Sequence, residues 1–365
     1  MANSKRKKLY QLCVGIYGTA LFYIDTILKS IKREFDMYQD HIVIDGLQYS
    51  HWDRDYFKML QASGIDAVHA TLVYHEDARQ TLTRFSEWHR RFEQNSDLIL
   101  PVYLVADIKT AKEQGKVGIF FGAQNCSPID DEIGLISVMR RLGLLIMQLT
   151  YNNQSLLATG CYEQNDSGVT RFGQQAIKEM NRVGMIIDMS HSAEQSTLEA
   201  IEISSRPICI SHANPTTAHD ALRNKSDTVI SALTQAGGLL GFSLYPFHLP
   251  NGSNCTLDDF CRMIADCADK YGVEHLAIGS DLCLNQPQAV LEWMRNGRWS
   301  KAMDYGEGNA NNSGWPDTLP WFAGKDGMEN IYNGLLKHGF DDTDAGKIIG
   351  QNWFNFLEAG IKPLT

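Results

Sequence analysis

Short apolar runs alternate with segments of helical composition along most of the chain. The runs are apolar nearly throughout, as expected for strands that are buried on both faces of a parallel sheet. Eight strand–helix alternations without a break in composition predict an α/β fold, a closed (β/α)8 barrel of the TIM type. The alternative is an open doubly wound sheet, but no Gly-x-Gly-x-x-Gly follows a run to support a dinucleotide-binding version. The predicted strands cover residues 41–46, 65–72, 116–122, 144–150, 184–191, 206–212, 238–245 and 275–281.

The predicted domain organisation is one barrel domain over residues 40–365, preceded by a leader at 1–39. In the leader, four basic residues at 5–8 precede an uncharged run that ends at residue 24. This layout is typical of a signal peptide or signal anchor, but an amphipathic helix on the barrel or on a membrane surface explains it equally well. Membrane association through residues 5–24 therefore stays open. A stretch rich in Trp, Asn and Gly at 286–320 predicts a long loop over the mouth of the site.

The net charge of -10 at pH 7 argues against non-specific nucleic-acid binding, which requires a basic surface. The eight cysteines include no Cys-x-x-Cys pair, and they indicate buried thiols in a reducing compartment. These features favour a cytoplasmic protein with a small-molecule substrate. The leader keeps a membrane-anchored or exported protein as the alternative.

Two of the predicted strands end in the same dipeptide, Ser190-His191 and Ser211-His212, and a helical segment at 193–203 connects them. Such a β-α-β unit forms parallel strands, and active sites lie at the carboxyl ends of the parallel strands of a barrel. We therefore expect the two imidazoles to converge on one metal ion or one reacting group. The alternative is that each histidine only caps a buried strand.

Polar side chains also follow other predicted strands. Asp281 comes after the eighth strand, where it suits a metal ligand or a base for an attacking water, or else a cap for the next helix. Arg223 comes after the sixth strand and suits a clamp for a substrate carboxylate, or else a surface salt bridge. The remaining candidates at the strand ends are Tyr49, Gln124, Tyr151 and Asn152.

Several segments together resemble the membrane (renal-type) dipeptidase family of zinc metallopeptidases, from about residue 40 to the end of the chain. The resemblance implies the same barrel, of the kind found in metal-dependent hydrolases. The matching segments include Ile42–Gly46, which ends the first strand in a turn glycine, and Arg171–Gln174, Met180–His191, Arg206–His212, Arg223–Asp227, Ile278–Asp281 and Gly350–Trp353.

The resemblance implies roles for individual residues. His191 and His212 match the two histidines that hold the second of the family's two zinc ions. Asp281 matches the catalytic base, and Arg223 matches an arginine that binds the carboxylate of the dipeptide. Dimers are common in the family, so the resemblance also implies a possible homodimer.

Four positions depart from the family pattern. Leu47 and Tyr49 stand where a His-x-Asp pair would bind the first ion. Gln124 stands where a glutamate would bridge both ions, and Tyr151 stands where a histidine would orient the scissile carbonyl. Since leucine cannot bind a metal and a neutral amide binds divalent ions more weakly than a carboxylate, we expect the first metal site to be lost. Another His-x-Asp pair occurs at 51–53, where we expect the aspartate to cap a helix.

The leading hypothesis is a dipeptidase-like metallohydrolase that cleaves a dipeptide or a small amide with at most one bound divalent ion, expected to be zinc. The predicted metal ligands are His191, His212 and Asp281. The same three residues and Tyr151 are the predicted catalytic residues. The predicted substrate-binding residues are Arg223, Tyr49, Gln124 and Asn152.

Two alternatives stay open. A metal-free enzyme would use the tyrosines at 49 and 151, the two histidines and Asp281 for acid–base chemistry. A non-catalytic binding protein would keep the pocket for an amino-acid-like ligand or a methylated amine. Aromatic side chains can enclose a quaternary amine through cation–π contacts, and the candidates for such a cage are Tyr49, Tyr151, Trp293 and Trp299.

Overall fold

The computed structural model describes residues 38–297, 311 and 314–362. The chain divides into two compact units, residues 1–41 and 42–365. The leader at 5–24 and Trp299, for which predictions were made above, lie outside the described residues. Within the described ranges, no helix has the length and the apolar character that are needed to cross a membrane.

The second unit is a nearly closed parallel barrel surrounded by helices, which confirms the predicted fold. Its strands are β1 (Ile44–Gln48), β2 (Ala67–Val73), β3 (Ile99–Pro101), β4 (Val117–Ala123), β5 (Leu144–Gln148), β6 (Ile186–Asp188), β7 (Cys209–Ile210), β8 (Leu239–Phe242) and β9 (Leu276–Ile278). The barrel follows the order β1-β2-β4-β5-β6-β7-β8-β9. A parallel bridge between Gln48 and Leu282 joins its two ends. All eight predicted strands lie on this path.

Strand β3 belongs to the sheet although the hydrophobic pattern does not predict it. It pairs with β4 from Ile99 to Pro101, whereas β5 pairs with β4 only from Phe121 onward. β3 therefore occupies the part of the β4 edge that β5 does not reach. A strand of three residues is too short to give a periodic signal in the sequence.

Helices connect the strands of the barrel. The helix predicted at 193–203 is present, and Asp53 caps the first helix by accepting a hydrogen bond from the Tyr56 backbone amide. The His-x-Asp pair at 51–53 is therefore a helix start, as expected. The helices are α1 (Arg54–Ala62), α2 (Ala78–Gln94), α3 (Ala106–Glu113), α4 (Gly134–Arg141), α5 (Arg171–Val183), α6 (Glu194–Ile203), α7 (Asp227–Gln235), α8 (Leu257–Tyr271), α9 (Gln288–Asn296), α10 (Gly327–Lys337), α11 (Asp342–Gly346) and α12 (Asn352–Gly360).

The stretch at 286–320 differs from the predicted long loop because it contains α9. Leu291 and Met294 of this helix are buried, and together with Arg295 they line a cavity at the strand ends. The prediction that this stretch lies over the site is therefore right for α9, but the prediction of a loop is wrong there. Its Trp- and Asn-rich composition concealed a helix of nine residues.

The apolar core joins the barrel strands to the last helix. Ile44, Phe120 and Leu145 from three strands belong to one buried cluster with Trp353 and Leu357 of α12. Burial on both faces explains why the strands read as continuous apolar runs. Polar side chains are instead concentrated just after the strands, where the candidate site lies.

Candidate functional site

His191 and His212 follow neighbouring strands, and their side chains meet. The two Nε2 atoms are 3.1 Å apart, and both side chains are buried. Asp188 of β6 pairs with Cys209 of β7, and each histidine follows its strand residue by three positions. The equal offset from paired residues places both imidazoles at the same height, as the repeated Ser-His dipeptide predicted.

Each histidine directs its Nδ1 atom toward an oxygen. His191 Nδ1 lies 2.6 Å from Asn152 Oδ1, and His212 Nδ1 lies 2.7 Å from Ser211 Oγ. The Ser211 hydroxyl donates its own hydrogen to Asp188, so it accepts from His212. In the neutral rings this network assigns the hydrogen to Nδ1 and leaves a lone pair on each Nε2.

The surroundings of the two histidines keep them neutral. Burial lowers the pKa of both imidazoles well below the usual value of 6.5, and the Arg223 guanidinium lowers it further. The two Nε2 lone pairs therefore face each other without a proton between them. An arrangement of this kind is suited to an electrophile, and metal ions are the usual partners of neutral imidazole nitrogens.

A third electron-pair donor completes this group. Gln124 Oε1 lies 2.8 Å from His191 Nε2, while Gln124 Nε2 donates to Thr71 Oγ1 at 2.8 Å. In this orientation of the amide, its oxygen faces the histidine. Two imidazole nitrogens and one amide oxygen thus converge at the carboxyl ends of β4, β6 and β7.

The buried carboxylate of Asp188 organises both histidines, and the sequence reasoning missed it. Its Oδ1 accepts the Ser190 hydroxyl at 2.6 Å, and its Oδ2 accepts the Ser211 hydroxyl at 2.5 Å. It also accepts the backbone amides of Ser190 and Ser211, both at 3.0 Å. These serines directly precede His191 and His212, so one carboxylate holds both strand ends in place. The signal was present as Asp-x-Ser-His at 188–191.

A second carboxylate–serine contact has the same form. Asp45 accepts the Ser280 hydroxyl at 2.5 Å and the Ser280 amide at 2.8 Å, and Ser280 directly precedes Asp281. It joins β1 to the end of β9 across the closure of the barrel. All three chemical candidates, the two histidines and Asp281, thus follow a serine that is bonded to a buried carboxylate.

Asp281 lies in the same cavity as His191. Its backbone is left-handed, with φ of 57°, and its amide donates to Leu47 O at 3.0 Å. Burial raises the pKa of its carboxyl group to about 7, against an opposing effect of Arg223, and the carboxylates of Asp45 and Asp188 contribute to the rise. A carboxyl group with this pKa is suited to accept and return a proton near neutral pH. No helix begins directly after it, so the capping alternative is wrong.

The predicted metal ligand set of His191, His212 and Asp281 is not assembled. In the described ranges, no group of three or more His, Cys, Asp and Glu side chains is arranged to hold one ion. The backbone bond to Leu47 holds Asp281 on the β1 side of the barrel, whereas Gln124 approaches the histidines. Asp281 is therefore better placed as a proton acceptor than as a metal ligand.

Arg223 is buried rather than on the surface, so the surface salt-bridge alternative is wrong. One Nη donates to Ser190 O and the other to His212 O, and the side chain still lines the cavity. Lys225 is buried beside it and donates to Ser192 O at 2.6 Å. Burial, and next the Arg223 charge, lower the Lys225 pKa to about 8. The two cations give this side of the cavity the charge that an anionic substrate group requires.

Aromatic and apolar side chains form a buried cluster beside His191. Leu47, Tyr49, Tyr74, Tyr151 and Met294 form one buried cluster. The Tyr151 ring stacks on His191 with 4.2 Å between ring centroids. This cluster contains both positions, 47 and 49, where the family resemblance expected ligands of a first metal ion.

Two adjoining cavities provide room for a ligand. The inner one, of about 60 Å³, is lined by Tyr49, Gln124, Tyr151, Asn152, His191 and Asp281 among others. A larger one, of about 690 Å³, shares Tyr151 with it and continues along Asn153 and Gln154. All predicted site residues except His212 thus line the inner cavity. His212 contacts His191, which is part of the cavity wall.

Comparisons with known proteins show which family and which structures the chain resembles. The model of a family described as membrane dipeptidase (peptidase family M19) matches residues 32–294. The dipeptidase tcpJ of Claviceps purpurea is 26% identical over 289 residues, which cover 78% of this chain and 61% of that protein. The chain spans 43% to 61% of the length of three curated relatives that it matches.

Solved structures show the same barrel. An amidohydrolase from Pseudomonas aeruginosa is 32% identical, with a TM-score of 0.84, and the match covers 89% of this chain and 98% of that one. A metallopeptidase from Rhodobacter sphaeroides, liganded with a phosphinate mimic of the dipeptide L-Ala-D-Ala, is 15% identical with a TM-score of 0.71, and the match covers 88% and 99%. The second similarity is evidence for the fold alone.

Proposed function

Because the chain belongs to the membrane dipeptidase family, we propose that it hydrolyses the amide bond of a dipeptide or a similar small amide, with at most one bound metal ion. The observation that supports this most directly is the pair of Nε2 atoms of His191 and His212, 3.1 Å apart with their lone pairs converging. Two nitrogens bound to one tetrahedral zinc ion lie about 3.3 Å apart. The pair therefore fits a zinc ion with little movement.

The ligand set proposed for this ion is His191, His212 and the amide oxygen of Gln124. The carboxylate of Asp188 orients the His212 ring through the Ser211 hydroxyl, as carboxylates commonly do for zinc-bound histidines, whereas Asn152 orients the His191 ring. When bound, a divalent ion here would lower the pKa of a water molecule. Zinc is proposed because it commonly binds two imidazole nitrogens together with a carboxylate oxygen, whose place the amide oxygen of Gln124 would take here.

The side chains at the positions of the first metal site cannot bind an additional ion. Leu47 is completely buried in the apolar cluster, and burial keeps the pKa of the Tyr49 phenol well above its usual value. A neutral phenol and a leucine cannot replace an imidazole and a carboxylate. The proposed stoichiometry is therefore one ion per chain.

The protein side chains suit the remaining steps of amide hydrolysis. Asp281 takes the proton of the attacking water and returns it to the leaving amine. Arg223 binds the terminal carboxylate of the substrate with the hydrogen-bond donors that its two backbone carbonyl contacts leave available. Asn152 fixes His191, and the larger cavity next to Tyr151 accommodates the part of the dipeptide that the inner cavity cannot.

The test combines metal analysis with activity measurements. Protein purified without chelators should contain at most one zinc-like ion per chain and should hydrolyse members of a dipeptide panel that includes L-Ala-D-Ala. His191→Ala and His212→Ala should each lose the metal and the activity. His51→Ala removes an exposed histidine and serves as the control that retains both. Two ions per chain, or full activity in His191→Ala, would contradict the proposal.

A metal-free enzyme is the second candidate, and one observation favours it. The 3.1 Å separation of the two Nε2 atoms is also the length of an N–H···N hydrogen bond, which a change of tautomer would create. In that case the histidines and Asp281 would perform acid–base chemistry alone. Unchanged turnover after exhaustive chelation would support this candidate over the zinc enzyme.

A further inference from the structure

The hydroxyl groups of Tyr49 and Tyr151 are buried polar groups that have no hydrogen-bond partner among the described residues. The two side chains are 2% and 6% exposed, and only burial and neighbouring charges act on either phenol. Neither hydroxyl is among the fully enclosed polar atoms, and both residues line the inner cavity with Asp281. Because the two hydroxyls face the cavity without a partner in the described part of the protein, each can donate a hydrogen bond to a ligand that accepts one there.

Neighbouring rings hold both tyrosines in place. Tyr74 packs edge to face against Tyr49 at 6.2 Å and against Tyr151 at 6.3 Å between ring centroids. Tyr49 also contacts Trp315 at 6.0 Å, and Tyr151 stacks on His191. Donors that are fixed before the ligand arrives do not have to be reoriented during a reaction, which is the property required of an oxyanion-binding site.

The phenols remain hydrogen-bond donors over a wide pH range. Burial raises the pKa of the Tyr49 hydroxyl, and the nearby carboxylate of Asp281 raises it further. Hydroxyl donors in a site with little water stabilise a charge that develops on an oxygen atom much more strongly than they would in water.

We propose that the hydroxyls of Tyr49 and Tyr151 bind the carbonyl oxygen of the scissile amide and stabilise the oxyanion that forms during hydrolysis. This inference rests on the proposed amide hydrolase activity and identifies the groups that act as the electrophile.

The reaction balances with water as the only co-reactant. A water oxygen forms a bond to the carbonyl carbon, the π electron pair moves to the carbonyl oxygen between the two phenols, and Asp281 takes the water proton. The tetrahedral species then re-forms the C=O bond as the C–N bond breaks with its electron pair on nitrogen. Asp281 returns the proton to that nitrogen, and the products are a carboxylate and an ammonium group after proton exchange with solvent.

Tyr49→Phe and Tyr151→Phe remove the hydroxyls and keep the rings. On the dipeptide that the wild type hydrolyses best, each variant should lose about 10²- to 10³-fold in kcat, with KM within a few-fold of the wild type. Affinity for the phosphinate mimic of L-Ala-D-Ala, a tetrahedral anion, should fall by a similar factor in calorimetry, while affinity for the product amino acids stays unchanged. Tyr74→Phe is the matched control, since Tyr74 belongs to the same cluster but does not line the inner cavity.

The outcomes separate this inference from the proposed function. If the wild type hydrolyses dipeptides and both phenylalanine variants keep their kcat and their phosphinate affinity, the inference is wrong and the proposed function stands. Equal losses of substrate and phosphinate affinity would show ordinary binding and would also contradict it. If the wild type neither hydrolyses dipeptides nor binds the phosphinate, both proposals fail together.

Discussion

Ser211 joins Asp188 to His212 through a single hydroxyl group, which lies 2.5 Å from Asp188 Oδ2 and 2.7 Å from His212 Nδ1. The hydroxyl donates to the carboxylate and accepts from the imidazole, so it fixes the tautomer that leaves Nε2 free for a metal ion. The same carboxylate holds the strand end before His191 through Ser190.

Ser211→Ala should therefore weaken zinc binding. Loss of the partner that orients a metal-bound histidine typically lowers metal affinity 10- to 100-fold, and we expect a decrease of about that size in equilibrium dialysis or competition with a chromophoric chelator. The loss of a buried hydrogen bond to a charged group should also lower the free energy of unfolding by about 1.5–3 kcal/mol.

Ser280→Ala is the matched control for this effect. Ser280 contacts Asp45 with the same two bonds that Ser211 makes to Asp188, but no histidine follows it. The control should lose a comparable amount of stability and keep the zinc affinity of the wild type. Equal zinc affinity in Ser211→Ala and in Ser280→Ala would exclude a special role for the Ser211 hydroxyl.

The raised pKa of Asp281 predicts the pH dependence of the reaction. Asp281 can accept a proton only when it is ionised, and its pKa is about 7 rather than 3.8. kcat/KM should therefore rise with pH up to about 7 and fall roughly tenfold per unit on the acid side. The pKa of both histidines is lowered well below 6.5, so their protonation should not produce this limb. A profile that stays flat between pH 5 and pH 8 would exclude Asp281 as the base.

The same carboxyl group should make the folded protein less stable as the pH rises. A folded-state pKa above the unfolded value means that the native state binds the proton more tightly, so the stabilisation is fully present below pH 3.8 and is lost as the pH rises through about 7. The rise of the Asp281 pKa from 3.8 to about 7 corresponds to at most about 4 kcal/mol in the free energy of unfolding.

Asp281→Asn should accordingly stabilise metal-depleted protein at pH 8 while it abolishes activity. In urea denaturation the advantage over the wild type should shrink between pH 7 and pH 4 and vanish below. A constant difference across this range would mean that ionisation of Asp281 is not its origin.

The barrel and the pairing of the two histidines could be predicted because both depend on local repeats. Apolar runs of regular spacing define the strands, and two Ser-His dipeptides at strand ends define one edge.

Gly46 shows the limit of such reasoning. Its position suggests a turn, but β1 continues to Gln48. A Cβ atom on Gly46 would lie 2.3 Å from the Trp353 ring, so the glycine is required by a residue that is remote in the sequence.

The contacts that define the site could not be predicted because they join residues that are remote in the sequence. Gln124 lies 67 positions before His191, and only the closed barrel shows that its amide oxygen, rather than Asp281, approaches the imidazoles. The unpaired hydroxyls of Tyr49 and Tyr151 likewise depend on the rings around them, which come from several strands and from α9. Sequence pattern identified the residues, but their partners follow from the three-dimensional structure.

Gln124→Glu tests whether the weak third ligand limits metal binding. A carboxylate in place of the amide adds a negative charge 2.8 Å from His191 Nε2 and binds a divalent ion more strongly than a neutral oxygen. We expect zinc affinity to rise at least tenfold, measured by competition with a chelator, and the Thr71 hydroxyl can donate to the new carboxylate in place of accepting from the amide. The stoichiometry should remain one ion per chain, since Leu47 and Tyr49 are unchanged.

Gln148→Glu is the control. It alters a buried amide that contacts Asp188 instead of a histidine, and it should not raise the zinc affinity. Binding of a second ion by Gln124→Glu would show that the aromatic cluster does not exclude the first site.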